Sequence, residues 1–251
     1  MSIRTAFVLS VIAVLCLSAV LTVTQTNAAG TTSATLQRTN QRLQKRLDAK
    51  LGRRQKPKVI KHSKKEIIGT GFTMFGDESS PVTMVEFIDY QCPFCNLFHH
   101  ETLKKIQVES WNGTKHSVRF VVRNYPLNFH PDAMNFARAV ECTRKDLETN
   151  AAPFATKLLK EQHLNGVTME KIYNWLQESA SGMDASLIEL CIKTGKRDAQ
   201  IQKDIEEGNL FGVSGTPTFF IIAPDGTSEK IQGAVSIFEF RKAIDRALLK
   251  K

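Results

Sequence analysis

The sequence is poor in cysteine and lacks a complete set of zinc ligands. It has five cysteines among 251 residues: Cys92 and Cys95 lie close together, Cys142 and Cys191 are isolated and far apart, and Cys16 lies in an apolar N-terminal run. A structural zinc site usually takes four protein ligands, commonly from two closely spaced Cys or His pairs. Because a second pair is missing, the sequence argues against zinc and favours redox chemistry at the pair that is present.

Charged residues are missing from the N-terminal run, residues 6–23. This run follows Arg4, and the small residues at 26–30 offer a cleavage site to a signal peptidase. We therefore predict a signal peptide at residues 1–29 and an exported protein. A run of about 18 apolar residues can also span a bilayer, so an uncleaved membrane anchor is the alternative. In either case the globular part lies in the periplasm or outside the cell, where disulfides persist.

Negative charge is nearly absent from residues 30–65, where twelve Lys and Arg accompany a single acid, Asp48, for a net charge of +11. The whole chain carries +9 and Arg4 adds one charge outside this segment, so residues 66–251 carry about −3. The basic charge therefore belongs to this leader and not to the domain that follows. Since the protein is expected to be exported, the charge does not indicate nucleic-acid binding.

The same leader has a helical pattern of leucines at spacings of seven, four and four, namely Leu36, Leu43, Leu47 and Leu51. This pattern predicts a basic amphipathic helix. Three interpretations stay open: a solvated spacer that holds the domain away from the membrane, a helix that pairs with copies of itself to make a homo-oligomer, and a helix that lies on anionic lipid.

The cysteine pair stands between a predicted strand and a predicted helix. Residues 82–88 form an apolar, β-rich run, and residues 96–108 place Phe98, Leu103 and Ile106 on one side of a helix. Cys92 at a helix start would lie beside unpaired backbone N–H groups and the positive end of the helix dipole, which favour its thiolate. Cys92 is therefore a candidate redox nucleophile. Two histidines follow at positions 99 and 100, and both suit a helix surface.

The remaining pattern predicts an α/β protein with a helical insertion. We expect strands at residues 66–74 and 116–123, and a hairpin in which residues 218–222 pair with residues 229–232. A capping box of Ser236 and Glu239 should open the last helix. Between residues 131 and 209 the sequence predicts helices and no convincing strand, with Asp184 as one N-cap.

Three segments taken together resemble the thioredoxin superfamily, and in particular its DsbA-like branch: FIDYQCPFC at residues 87–95, NYPLNFHPDA at 124–133 and GVSGTPTFF at 212–220. The resemblance implies a thioredoxin-like fold over residues 66–251, with a helical insertion lobe at about 130–209. It also implies that Glu86 is the buried acid that assists proton transfer beneath the cysteines. The Thr216-Pro217 bond would be cis, would face the dithiol and would offer backbone groups to a substrate.

The function that this resemblance implies is an exported thiol:disulfide oxidoreductase. Its Cys92-Pro93-Phe94-Cys95 dithiol would exchange disulfides with exported substrate proteins, and a membrane redox partner would reset it. No organic cofactor and no metal are expected. Of the other cysteines, Cys142 and Cys191 lie on separate predicted helices, and in an exported protein such a leftover pair more often forms a structural disulfide than stays free.

Two departures from the family pattern affect the direction of electron flow. The strongly oxidising members have His at the position of Phe94, and Phe cannot donate a charge-assisted hydrogen bond to the Cys92 thiolate. Thr216 before the proline is more similar to the isomerases. An isomerase or reductase that oligomerises through the leader is therefore one alternative, and a non-catalytic copper-binding module that uses both thiols as soft ligands is another.

Overall fold

The computed structural model describes residues 59–60, 62–109, 111, 117–144, 151–178 and 184–250. The predicted signal peptide or anchor and most of the basic leader lie outside these residues. In chain order the strands are β1 Val59–Ile60, β2 Phe72–Phe75, β3 Val82–Ile88, β4 Val118–Asn124, β5 Thr218–Ile222 and β6 Ser228–Gln232.

Helices lie between β1 and β2, between β3 and β4, between β4 and β5, and after β6. They are α1 Lys64–Ile68, α2 Pro93–Leu97, α3 Lys104–Val108, α4 Ala133–Cys142, α5 Ala151–Asn165, α6 Met169–Glu178, α7 Ala185–Thr194, α8 Asp198–Leu210 and α9 Ile237–Leu248. A π-helical turn, Phe98–Leu103, joins α2 to α3, so the predicted helix after the dithiol is continuous but locally widened. Within the described part of the chain, no helix is both long and apolar enough to cross a membrane.

The six strands form one mixed sheet in the order β1-β6-β5-β3-β4-β2. Strand β3 pairs with β4 in parallel and with β5 antiparallel, so it lies in the middle, and all seven of its residues are buried. A parallel pair needs a crossover connection, which the helix after the dithiol provides. The predicted α/β, thioredoxin-like fold class is confirmed.

Between β4 and β5 the described residues form helices α4 to α8, joined by turns and irregular loops, and contain no strand. Asp184 begins α7 as predicted, because its carboxylate accepts hydrogen bonds from the N–H groups of Ser186 at 2.9 Å and Leu187 at 3.4 Å. A disulfide between Cys142 and Cys191 joins the end of α4 to α7, with the two Cα atoms 6.0 Å apart. The apolar side chains of these helices belong to the same buried cluster as those on one face of the sheet.

Two local predictions were wrong. The strand expected at residues 66–74 begins only at Phe72, because residues 64–68 form α1. A capping box opens this helix: the Ser63 hydroxyl accepts from the Glu66 N–H, and the Glu66 carboxylate accepts from the Ser63 N–H at 2.7 Å. The capping box expected at the last helix is not formed, since Ser236 is the N-cap of α9 but its side chain caps no N–H group.

Aromatic packing fixes the dithiol helix on the sheet. The Phe98 ring lies 4.4 Å from that of Phe219 on β5 and 5.1 Å from that of Phe240 on α9, measured between centroids. Burying large aromatic side chains is among the strongest favourable contributions to a core. The start of the dithiol helix is therefore held at the end of β3 by packing on the helix side of the sheet.

Candidate active site

The turn between β3 and α2 places Cys92 at a helix N-cap. The Cys92 N–H donates to the Asp89 carbonyl at 3.1 Å, and the Gln91 N–H donates to the Asp89 carboxylate at 2.8 Å. Pro93 occupies the first helical position, where a missing N–H group leaves nothing unsatisfied. The Asn96 side chain, itself buried, donates to the Cys92 carbonyl at 2.9 Å and completes the turn.

Both cysteine side chains are reduced and largely buried. Cys92 is 4% exposed and Cys95 is 0% exposed, so Cys92 is less open than its position at a helix start suggested. The side chain of Phe94 between them is 60% exposed. A reagent or substrate can therefore reach the dithiol only at the narrow exposed part of Cys92.

The two thiols have opposite acidities. The hydrogen bond from the Cys95 thiol is the largest cause that lowers the pKa of Cys92 from 9.0 to about 5, and the Thr216 side chain and the N–H groups of Cys95 and Phe94 add to it against the effect of burial. Burial raises the pKa of Cys95 well above 9.0, and the negative charges of Cys92 and Glu86 raise it further. At neutral pH the pair is thus a thiolate at Cys92 and a thiol at Cys95.

The loop before β5 faces Cys92 from the other side. The Thr216-Pro217 peptide bond is cis, as the resemblance implies, and the Thr216 carbonyl oxygen lies 3.5 Å from Cys92 Sγ, within reach of the thiol proton. The Thr216 hydroxyl is buried and has no hydrogen-bond partner among the described residues. Its donor is therefore free for the Cys92 thiolate, which agrees with its effect on the pKa of that residue.

Glu86 is buried in the middle of β3, between Val122 of β4 and Phe219 of β5. Burial raises its pKa, and His99, whose Nε2 lies 2.6 Å from Glu86 Oε2, partly opposes this effect. His99 is 9% exposed, so the expectation of a surface histidine was wrong for this residue. The sequence contained a signal for it, since a spacing of four residues places His99 on the same helix face as Cys95.

A second buried acid, Asp89, ties the loop after β4 to the dithiol turn. Its carboxylate accepts from the Leu127 N–H at 3.0 Å and lies 2.6 Å from His130 Nδ1. His130 is therefore an anchoring residue for this loop. The anchored loop carries Phe129, which is 71% exposed.

Metal ligands are not assembled around this site. Within the part of the chain that the structure describes, no three His, Cys, Asp or Glu side chains are grouped so that they could hold a metal ion. The two thiols instead differ strongly in pKa, which suits sequential covalent exchange at one sulfur.

The fold and the dithiol define a protein of the thioredoxin class. A thioredoxin family model matches residues 69–246, and the chain belongs to this family. Its fold is similar to that of solved DsbA-type proteins. It superposes on BdbD from Bacillus subtilis in its oxidised form with a TM-score of 0.59, at 23% identity, over 70% of this chain and 91% of that one.

Sequence relatives carry two kinds of names. The chain is 28% identical over 147 residues to the Na(+)/H(+) antiporter NhaA 3 of Salinispora tropica. The aligned segment makes up 58% of this chain but only 21% of that protein. It is 25% identical over 187 residues to the disulfide bond formation protein D of Bacillus subtilis. Here the aligned segment makes up 71% of this chain and 78% of that protein. The chain thus spans about a fifth of the antiporter's length and more than three quarters of the second relative.

Proposed function

We propose that the protein is an exported thiol:disulfide oxidoreductase that forms or exchanges disulfides in other exported proteins. The observation that carries this proposal is the pairing of a Cys92 pKa of about 5 with a fully buried Cys95 whose pKa is raised. Such a pair makes one sulfur the point of attack and keeps the other away from solvent. The similarity to a disulfide bond formation protein supports the same activity.

In the oxidising direction the reaction begins with the Cys92–Cys95 disulfide. A substrate thiolate attacks Cys92 Sγ, the bond between the two enzyme sulfurs breaks, and Cys95 leaves with the electron pair and takes up a proton. The product of this step is a mixed disulfide between the substrate and Cys92. We assign to Glu86 the delivery of that proton, because its carboxylate is close enough to Cys95 to raise the pKa of that thiol.

A second substrate thiolate then attacks the substrate sulfur of the mixed disulfide, and Cys92 leaves as a thiolate. Its low pKa makes it a good leaving group, because the enzyme stabilises the anion that forms. The substrate has lost two electrons and the enzyme dithiol holds them. A membrane redox partner would remove these electrons and restore the disulfide, and no organic cofactor takes part.

The supporting residues have separate roles in this scheme. The Thr216 carbonyl and Pro217 line the side of Cys92 that an incoming chain must approach, and we assign substrate binding to them. Pro93 and Phe94 complete the active-site motif and set the helix start. The Cys142–Cys191 disulfide lies on the helical lobe and has a structural role, because neither of its sulfurs belongs to the dithiol turn.

Trapping of the mixed disulfide tests the proposal. In full-length Cys95→Ala protein, Cys92 is first converted to its mixed disulfide with 5-thio-2-nitrobenzoate. A reduced unfolded protein that contains one cysteine should then attack Cys92 Sγ, release the thionitrobenzoate and form a covalent adduct that dithiothreitol cleaves. The Cys92→Ala variant is the matched control and should form none. Absence of an adduct with Cys95→Ala, or equal adducts with both variants, would show that Cys92 is not the attacked sulfur.

A further inference from the structure

Only one of the two carboxylate oxygens of Glu86 has a hydrogen-bond partner among the described residues. Glu86 Oε2 lies 2.6 Å from His99 Nε2, whereas Glu86 Oε1 is buried and has no hydrogen-bond partner among the described residues. An unsatisfied buried oxygen costs about 1 to 3 kcal/mol. A pair kept only for packing would be replaced at little cost by apolar side chains. The free oxygen therefore calls for a functional explanation.

Cys95 has no direct route to water. It is 0% exposed, and its raised pKa means that it binds a proton each time it leaves the disulfide and releases one each time the disulfide forms again. The proton must therefore cross the protein interior. Glu86 is the buried acid that acts electrostatically on Cys95, but it is itself 0% exposed and cannot exchange its proton with solvent.

His99 lies between Glu86 and a cavity that opens to the surface. The cavity has a volume of about 240 Å³, and its lining includes His99, His100, Lys104 and Lys160. The two lysines are exposed, so the cavity reaches solvent. Apolar side chains such as Phe75 and Leu103 form much of its lining, but its polar groups and its volume are sufficient to hold water. His99 Nε2 lies 2.6 Å from Glu86 Oε2, and His99 is also one of the residues that line this cavity.

We propose that His99 carries protons between Glu86 and the water of this cavity, so that the route Cys95, Glu86, His99 and solvent serves every turnover. In the oxidising direction the imidazolium gives a proton to the Glu86 carboxylate, Glu86 passes a proton to the departing Cys95 sulfur, and His99 takes its replacement from water. Reoxidation uses the same route in reverse. This inference rests on the proposed function, and His99 is a positioning residue because it acts through Glu86.

His99 has polar and charged neighbours on both of its sides. Glu86 on β3 contacts one ring nitrogen, while Lys104 and Lys160 of α5 belong to the lining of the cavity. His100 lines the same cavity, and its ring stacks at 4.4 Å on that of His163 of α5. A histidine can accept and release a proton, which suits it to such a position.

The test measures exchange with a small dithiol in the full-length protein. Oxidised protein is mixed with dithiothreitol, and reduced protein with its oxidised form, and the reaction is stopped by acid and alkylation before mass analysis. We expect His99→Gln, which retains a hydrogen-bonding side chain but cannot carry a proton, to lower both rates at least tenfold, as is typical when a general acid or base is lost. The equilibrium constant should change by less than threefold, because a proton carrier accelerates both directions alike.

Two further variants separate proton transfer from structure. His99→Ala leaves room for free imidazole, which should restore at least a third of the lost rate. His100→Gln is the matched control, because this residue lines the same cavity without touching Glu86, and it should keep both rates within twofold of the parent protein.

Unchanged rates in His99→Gln would overturn the proposal, as would a slow His99→Ala variant that imidazole does not restore. If neither variant folds, the same exchange rates are measured in the parent protein at increasing imidazole concentration. These rates should not change, and a linear increase with imidazole would mean that protons reach Cys95 by another route. Failure of the mixed-disulfide trapping would count against the proposed function itself. Normal trapping with an unaffected His99→Gln variant would count only against the relay.

Discussion

Removing the Cys95 thiol should raise the pKa of Cys92 more than any other single change at the site. The hydrogen bond from Cys95 is the largest of the causes that lower the pKa of Cys92 to about 5. A hydrogen bond to a charged group contributes about 1.5 to 3 kcal/mol, which corresponds to about one to two pKa units. We therefore expect the Cys92 pKa in Cys95→Ala to lie at about 6 to 7.

The assay is the rate of alkylation of Cys92 as a function of pH, followed by mass analysis of the intact protein. Cys95→Ser is the matched control, because its hydroxyl keeps a donor at the same place, and it should titrate within about half a pKa unit of the reduced parent protein. In the parent protein only Cys92 should react, since Cys95 is 0% exposed and its pKa is raised. Identical titrations of the Ala and Ser variants would show that the Cys95 hydrogen bond is not what stabilises the thiolate.

Three more measurements follow from the same site. Phe94→His adds a donor for the Cys92 thiolate and should raise the reduction potential by at least about 30 mV, equivalent to about 1.4 kcal/mol; an unchanged or lower potential would show that position 94 does not tune the anion. Mild dithiothreitol treatment should open the active-site disulfide while Cys142–Cys191 stays closed, because Cys92 is the better leaving group, and free thiols at both positions would contradict this. In urea unfolding, the free energy of unfolding of the reduced form should rise relative to that of the oxidised form by about 1.4 kcal/mol for each pH unit, as the pH increases from the folded Cys92 pKa of about 5 to the unfolded value of about 8.5. The sign follows because a lowered folded pKa stabilises the protein above the unfolded pKa and this contribution is lost as the pH falls to 5.

Local sequence patterns were sufficient for the parts of the fold that local forces determine. Alternating and continuous apolar runs predicted β3, β4 and the β5–β6 hairpin, because side-chain periodicity follows directly from strand geometry. The helix α1 was missed, although Ser63 and Glu66 have the spacing of a capping box. A capping pattern followed by only one buried apolar residue, Ile67, gives too weak a periodicity to be separated from a short strand.

The site required contacts that no local pattern encodes. Asp89 meets Leu127 and His130 across about forty residues of sequence, and the partners are aligned only because β3 and β4 are adjacent and parallel. The pairing of Glu86 with His99 depends in the same way on how the dithiol helix packs against the sheet. Spacing placed His99 on the face of Cys95, but the packing determines that this face points into the sheet and not toward solvent.

The structure also changes the role that we assign to the side chain of Phe94. From the sequence, the absence of His at this position implied a poorly stabilised thiolate and hence a milder oxidant. The pKa of Cys92 is nevertheless lowered to about 5 by groups other than the Phe94 side chain: the Cys95 thiol, the Thr216 side chain and the backbone N–H groups of Cys95 and Phe94. A 60% exposed Phe94 side chain beside an almost covered sulfur is therefore better placed to contact an incoming chain than to tune the anion. Phe94→Leu should accordingly leave the Cys92 pKa unchanged and slow mixed-disulfide formation with protein substrates while reaction with dithiothreitol continues at its normal rate, and a shifted Cys92 pKa in that variant would restore the original interpretation.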